Sequence, residues 1–242
     1  MNRFFIEPAQ VAGPEVRLDG EIAHQLSRVL RLEAGDHILL LDGLGFEYEA
    51  ELKAVLRQGK SDTATGEIIE KRPAAGEPHL QVTLYQALLK GEKFDVVLQK
   101  GTEVGVSRFV PILTERCVGQ AARPDRWKKI VREAAEQSRR GKLPELVEKP
   151  LKLTEALDRI KSEGHLAFMA WEEETALSFH ELPEGLSGLG ILIGPEGGFS
   201  RKEAELAQAA GVQTLSLGKR ILRAETAGPI ATALALYQSG DM

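Results

Sequence analysis

The chain is poor in cysteine, in aromatic residues and in long apolar runs, and each shortage removes a class of protein. Cys117 is its only cysteine, which excludes an internal disulfide and a Cys-cluster metal site. The histidines, His24, His37, His79, His165 and His180, never fall at a ligand spacing such as H-x-x-x-H, so no metal is expected. No uninterrupted apolar run approaches the roughly 20 residues that cross a bilayer. The opening MNRFFIEPAQ lacks the basic-then-apolar order of a signal peptide. The expectation is a cytoplasmic protein that uses an organic cofactor or none. What is present is ordinary for a globular chain: 43% hydrophobic and 28% charged residues. Its 242 residues allow one large domain or two modest ones.

The chain also lacks an overall basic excess. Thirty-one Lys/Arg against 36 Asp/Glu leave a net charge of −5, which at first disfavours a nucleic-acid partner. The distribution points the other way. Between Arg116 and Lys142 stand nine Lys/Arg and only three acids, Asp125, Glu133 and Glu136, a local balance of +6. Phosphates respond to local potential, so an acidic protein can still present a basic face; a solvated helix face is the alternative.

Residues 1–73 carry short apolar runs punctuated by Gly, Asp and Pro. HILLLDG (37–43), EYEAELKAVL (47–56) and GEIIEKRP (66–73) read as strands ending in turns. Between residues 21 and 32, Ile22, Leu26, Val29 and Leu30 fall at helical spacing and predict a short helix with its apolar stripe inward. KRPAAGEPH (71–79) reads as a linker. From residue 74 onward, strand candidates at 80–89, 108–114, 165–171, 188–194 and 212–218 alternate with helices at 92–105, 124–140, 153–164, 200–211 and 225–238. That alternation predicts an α/β domain with a parallel sheet. Ser200 with Glu203 forms a capping-box pattern, and Gly211 closes that helix.

In such a sheet ligands bind beyond the carboxyl ends of the strands. Three loops are expected there: 170–174, 194–200 and 218–226. In the second, IGPEGGFS, Pro195 fixes a turn while Gly197 and Gly198 allow positive φ and close approach of a ligand to backbone. Gly188, Gly190 and Gly194 do not make a dinucleotide fingerprint: their spacing is wrong and they precede the turn. Gly218-Lys219 does not make a phosphate loop, because Arg220 stands where Ser or Thr is required. The third loop, LGKRILRAETAG (217–228), sets apolar Ile221 and Leu222 among Arg220, Arg223 and Glu225. Apolar side chains beside free backbone groups suit an adenine ring, although either residue alone could be a core plug. Thr226 is the expected cap of the last helix, with Pro229 in its first turn.

IGPEGGFS (193–200) followed by LGKRILRAETA (217–227) resembles the paired signature of the SPOUT-class RNA methyltransferases. With RFF (3–5), H-x-x-x-x-VLR (24–31), QKGTEVG (99–105) and REAAEQSRR (132–140), the chain resembles over nearly its full length the family that methylates N3 of a uridine in small-subunit (16S) ribosomal RNA. The resemblance implies a PUA-like β-barrel RNA-binding domain at 1–73 and a SPOUT methyltransferase domain with a C-terminal trefoil knot at 74–242. It implies S-adenosylmethionine as methyl donor, no metal, a homodimer with shared active sites, and no membrane partner. By position, Gly194, Glu196, Gly197 and Gly198 would wall one side of the donor pocket, and Leu217, Gly218, Ile221, Leu222 and Thr226 the other. Gly228 departs from the expected stiffer residue.

The chemistry makes its own demands. Uridine N3 has a usable lone pair only after losing its proton, so the site needs a base near N3 or cations that stabilise the charge spreading to O2 and O4. Arg223 is the candidate for the electrostatic role, and Glu225 for orienting it or accepting the proton; a structural ion pair is the competing reading. Glu103, Glu136, Gln137 and Arg140 lie in the other motifs and could line the uridine pocket. On the helix at 21–32, His24, Arg28 and Arg31 at i, i+4 and i+7 would share one exposed face toward RNA phosphates. The last helix is apolar or small around most of its circumference, which suggests burial against a second subunit, with deep burial inside one subunit as the alternative. Competing readings are a SPOUT enzyme acting on another RNA, and a non-catalytic ribosome-assembly factor that kept the fold.

Overall fold

The computed structural model describes the chain apart from residues 59–60, 119–120, 175–181 and 184 and the side chain of Pro8; His180 lies outside the described residues. Two compact units form. One comprises Met1–Glu77 with Ala135–Leu143, and the other Pro78–Ala134 with Pro144–Met242.

The first unit contains β1 (Arg3–Phe5), β2 (Val11–Ala12), β3 (Glu15–Leu18), α1 (Gly20–His24), β4 (His37–Leu41), β5 (Phe46–Leu56) and β6 (Thr63–Pro73). Its six strands follow the order β1-β4-β5-β6-β3-β2; β1 runs parallel to β4, and the other ladders are antiparallel. Phe4 of β1 and Val16 and Leu18 of β3, from opposite ends of that order, meet Ile38, Leu40, Ala50 and Leu52 in one core. The sheet therefore curls around its own interior.

The helix expected at 21–32 spans residues 20–29 and changes character midway. After α1, residues Gln25–Val29 form a π-helical turn, and Arg31 adopts left-handed backbone at φ 56°. The wider turn breaks the 3.6-residue period on which the apolar stripe and the basic face both depended. Leu26 is fully buried, but Val29 is 67% exposed. A buried anchor fixes this turn: the Ser27 hydroxyl donates to Asp62 at 2.6 Å.

Residues 135–143 complete this unit. Ala135 packs with Phe5 and Leu41. The Phe5 N–H donates to the Glu136 carboxylate at 3.1 Å. Buried Arg140 pairs with Glu77 at 2.8 Å, and Glu77 also accepts the N–H groups of Gly141 and Lys142. A Cβ on Gly141 would lie 2.1 Å from that of Ala74, so only glycine fits.

The second unit begins with β7 (Gln81–Ala87), α2 (Lys93–Val104), β8 (Arg108–Leu113) and α3 (Pro124–Gln137), followed by β9 (Glu145–Leu146), β10 (Leu151–Lys152) and α4 (Leu153–Glu163). Then come β11 (Leu166–Ala170), β12 (Gly188–Ile193), α5 (Arg201–Ala209), β13 (Gln213–Leu215) and α6 (Ala224–Gln238). The sheet runs β10-β8-β7-β12-β11-β13 with β9 beside β8, and every ladder is parallel. Central β12, GLGILI, is buried throughout, as a parallel strand covered on both faces should be. Leu189, Ile191 and Ile193 enter one core with α2 and α6, while Leu192 enters the other with α4 and α5. Gly188 and Gly190 are packing glycines. A Cβ at Gly188 would come within 2.7 Å of the His165 ring, and one at Gly190 within 3.1 Å of the Ala167 Cβ.

Helix α5 has the expected Ser200–Glu203 capping box. Helix α6 starts earlier than expected. Its N-cap is Arg223 and no side chain caps it; the Thr226 N–H donates to the Arg223 carbonyl at 2.9 Å, so Thr226 lies inside the first turn. Pro229 accordingly falls in the second turn, where its missing N–H deprives the Glu225 carbonyl of its helical partner. Gly228 has a packing reason: a Cβ would lie 2.9 Å from the Gln86 Oε1 of β7.

Candidate functional site

The strand ends of the second unit open into a cavity of about 880 Å³. All three loops expected at the carboxyl ends line it: 170–174 after β11, 193–199 after β12 and 216–225 after β13. Gly194, Glu196, Gly198, Leu217, Gly218, Ile221, Leu222, Arg223 and Glu225 are all at its wall. Thr226 and Gly197 are not.

The glycines of IGPEGG do different jobs. Gly198 has φ +66° and donates its N–H to the Pro195 carbonyl at 2.9 Å, closing a tight turn. A Cβ on Gly194 would stand 3.1 Å from the Gly198 and Phe199 backbone. Gly197, contrary to expectation, has no positive φ; its carbonyl instead accepts the Arg116 guanidinium at 2.6 Å. In the next loop Gly218 has φ +101° with nothing within 4 Å of a built Cβ, so backbone conformation rather than space selects glycine there. Leu222 packs on the core, whereas Ile221 is 88% exposed and is no core plug.

Charged groups converge on one side. The Lys93 ammonium lies 3.1 Å from Glu196 and 4.0 Å from Glu225 Oε2. Burial pushes the Glu196 carboxyl up, but its own backbone N–H, that of Lys90 and the Lys93 ammonium together hold it below the usual carboxylate range. The Glu225 Oε2 atom is buried, and no hydrogen-bond partner reaches it among the described residues. Arg223 is 82% exposed at its side chain and 4.0 Å from Glu225 Oε1. This is a long ion pair, exposed on its Arg223 side.

Other expected site residues are not at this cavity. Glu103 pairs with Lys100 at 2.9 Å, ten residues along α2 from Lys93 and hence about 15 Å away along the helix. Glu136 and Arg140 are spent on Phe5 and Glu77, as described, and Gln137 is exposed. Arg28 pairs with buried Asp62 at 3.1 Å, and His24 lies 3.8 Å from the same carboxylate. The π-helical turn and the left-handed backbone at Arg31 break the i, i+4, i+7 geometry on which the three-residue face rested. The basic stretch 116–142 is likewise largely compensated. Arg123 and Arg126 pair with Asp95, Lys128 with Glu148, and Lys129 with Glu133.

Lys93 and Ser216 lie outside the expected loops, whereas Trp171, Glu172 and Phe199 lie within them but were not singled out. Lys93 opens α2, 103 positions before the Glu196 it meets, and only the parallel β7–α2 connection brings it here. A supporting turn was also missed. Glu115 donates its N–H to Glu203 at 2.7 Å and accepts the Ser200 hydroxyl at 2.8 Å, so the turn after β8 clamps the glycine loop. Groups of three or more His, Cys, Asp or Glu able to hold a metal are absent among the described residues. No described helix is long and apolar enough to cross a membrane.

The RNA methyltransferase domain family matches residues 76–236, and the RNA methyltransferase PUA domain family matches residues 18–58. A Synechocystis protein named ribosomal RNA small subunit methyltransferase E is 36% identical, covering 96% of this chain and 76% of its own. One of the same name from Bacillus subtilis is 33% identical, covering 99% of this chain and 97% of its own. The crystal structure of a Neisseria gonorrhoeae ribosomal RNA small subunit methyltransferase E bound to S-adenosyl methionine superimposes with a TM-score of 0.85. It is 35% identical, with 98% and 97% of the two chains covered. With both domain families matched and full-length relatives above 30% identity, the chain belongs to the ribosomal RNA small subunit methyltransferase E family.

Proposed function

We propose that the protein transfers a methyl group from S-adenosylmethionine to N3 of a uridine in small-subunit ribosomal RNA, in the cytoplasm where that RNA is assembled. The observation that carries this reading is the meeting of three strand-end loops around one cavity that holds a buried carboxylate oxygen with no hydrogen-bond partner among the described residues. The residues fit the donor. Gly194 and Gly198 admit it against backbone on one side; Leu217, Gly218 and Leu222 offer the adenine an apolar wall and backbone polar groups on the other. Ile221, so exposed in the free chain, would be covered by the bound nucleoside. Gly197 acts one step back, through Arg116, and Thr226 only as part of the first turn of α6.

When bound, the donor supplies an electrophilic methyl on a sulfonium. The chain's own task is the acceptor. Glu225 Oε2, buried at the cavity, would accept the N3 proton, and Arg223, exposed there, would lie over O2 or O4 as negative charge develops. Lys93 adds a second cation, 4.0 Å from Glu225 Oε2. The N3 lone pair then forms its bond to the methyl carbon as the sulfur–carbon bond breaks, leaving a neutral thioether.

Three further assignments belong to this reading. The first 73 residues and the remainder act as RNA-binding and methyltransferase domains. A trefoil knot is supported by the path of the chain: from β13 at the sheet edge it returns, along the cavity that the 193–199 loop also lines, to α6, which packs on β12 and β7. A homodimer is supported by the outer face of α6, where Ile230 and Leu234 are each 41% exposed and Tyr237 69%, at i, i+4 and i+7 on one side. Light scattering at micromolar concentration should return twice the chain mass.

The test is methyl transfer to small-subunit particles from a strain lacking the enzyme. The wild type should label the RNA. Glu225→Gln should bind S-adenosylmethionine normally but transfer methyl about a hundredfold more slowly, in the range of a lost general base. A wild type that binds the donor and labels no RNA would overturn the reading.

A further inference from the structure

The unabsorbed feature of the first unit is a surface around residues 42–46. Leu44 is 71% exposed and Phe46 41%. The Lys71 ammonium sits 4.5 Å from the Phe46 ring centroid and 5.1 Å from that of Tyr48. A Cβ built on Gly45 would touch the Lys142 Cε at 3.1 Å, so the Lys142 stem lies against the loop at the residue between Leu44 and Phe46. Two exposed apolar side chains thus stand beside two lysines.

The neighbouring acids do not cancel these cations. Opposed residues of β5 and β6 share a face, and successive residues alternate. Phe46 opposes Pro73 and Tyr48 opposes Lys71, whereas Glu47 opposes Arg72 and Glu49 opposes Glu70. Glu47, Glu49 and Glu70 therefore lie on the other face, where Arg72 and Arg3 pair with them. Asp42 is occupied with the N–H groups of Leu44 and Phe46 and with the Tyr48 hydroxyl. Glu77 is held by Arg140. Among the described residues neither Lys71 nor Lys142 has an ion pair.

We infer that this surface holds an unpaired nucleotide of the RNA substrate, its base against Phe46 and Leu44 and its flanking phosphates on Lys71 and Lys142. An exposed aromatic beside uncompensated cations fits a splayed base, because any base offers a π-face and each nucleotide brings a phosphate. The inference rests on the proposed RNA substrate and moves the RNA contact of this unit away from Arg28, which is spent on Asp62.

The experiment measures binding of a small-subunit RNA fragment across a salt series, with donor affinity by calorimetry as the internal control. Lys71→Gln with Lys142→Gln should weaken RNA binding and flatten its log–log salt slope by about 1–2. Phe46→Ala should weaken it about tenfold or more, and Phe46→Trp should restore it. Donor affinity should stay unchanged in all three, which distinguishes a lost contact from a lost fold. A wild type that binds no RNA defeats the proposed function itself. A wild type that binds while the Lys71/Lys142 variant shows the same affinity and slope defeats this surface alone. Loss in Phe46→Ala that Phe46→Trp fails to restore also counts against it.

Discussion

The loops 194–200 and 217–225 and the segments 24–31 and 136–140 looked equally functional as sequence, yet the fold treats them in opposite ways. In the loops nearly every expected residue reaches one cavity wall. In the segments Arg28, Glu136 and Arg140 are tied to Asp62, Phe5 and Glu77. The difference lies in where each residue's partner sits. A glycine after a parallel strand has its job fixed by local backbone, which sequence shows. A charged side chain is available or spent according to a partner 34, 131 or 63 positions away.

The sharpest way to break the contrast is through the glycines. Gly194→Val and Gly198→Val should abolish measurable S-adenosylmethionine binding, the first by striking backbone at 3.1 Å and the second by forcing a branched residue to φ +66°. Gly197→Ala meets only Arg116 side-chain atoms at 3.4 Å and beyond, so its donor affinity should stay within about threefold, roughly half a tenfold step. Equal losses at all three positions in calorimetry would erase the distinction drawn between them.

On the other side of the comparison, Arg140→Ala should destabilise the fold by about 3 kcal/mol or more, because it leaves the Glu77 carboxylate half-buried without its cation. Urea unfolding measures this. A stable variant that has lost only RNA binding would return Arg140 to the substrate site. Arg223→Ala should do the reverse: unchanged stability, donor affinity within a few-fold, and turnover lower by about a hundredfold.

How much was legible follows the same line. The alternation of strands and helices from residue 80 onward, the capping box at Ser200 and the strand-end position of the loops were all visible, because each depends on periodicity or on neighbours in the chain. A helix was legible within 21–32 and forms over 20–29, but nothing local signals that its turn widens after His24; the anchor of that turn, Asp62, lies on another strand connection. Thr226 looked like a cap because threonine commonly is one, but the helix starts two residues earlier, at Ala224. Lys93 and Glu115 were invisible as site residues because only the parallel crossovers bring their loops beside the glycine turn.

A smaller effect sharpens the first-unit half of the comparison. The Arg28 guanidinium, with the Ser27 hydroxyl and the Gln58 N–H, holds the Asp62 carboxyl down at about 2, from an ordinary 3.8. Its folded form is thus the more acidic, so its contribution to stability is complete above about pH 4 and is lost as pH falls toward about 2. Asp62→Asn should remove that part of the acid dependence in thermal melts between those values. An unchanged acid limb would mean that Arg28 is free for phosphates after all.

The central claim, that the cavity performs N3 chemistry on a ribosomal uridine, is tested most directly by the position of the transferred methyl. Small-subunit particles labelled by the wild-type enzyme should yield, on nucleoside digestion and mass analysis, 3-methyluridine at a single site. Label found on a ribose hydroxyl, or on a base other than uracil, would contradict it.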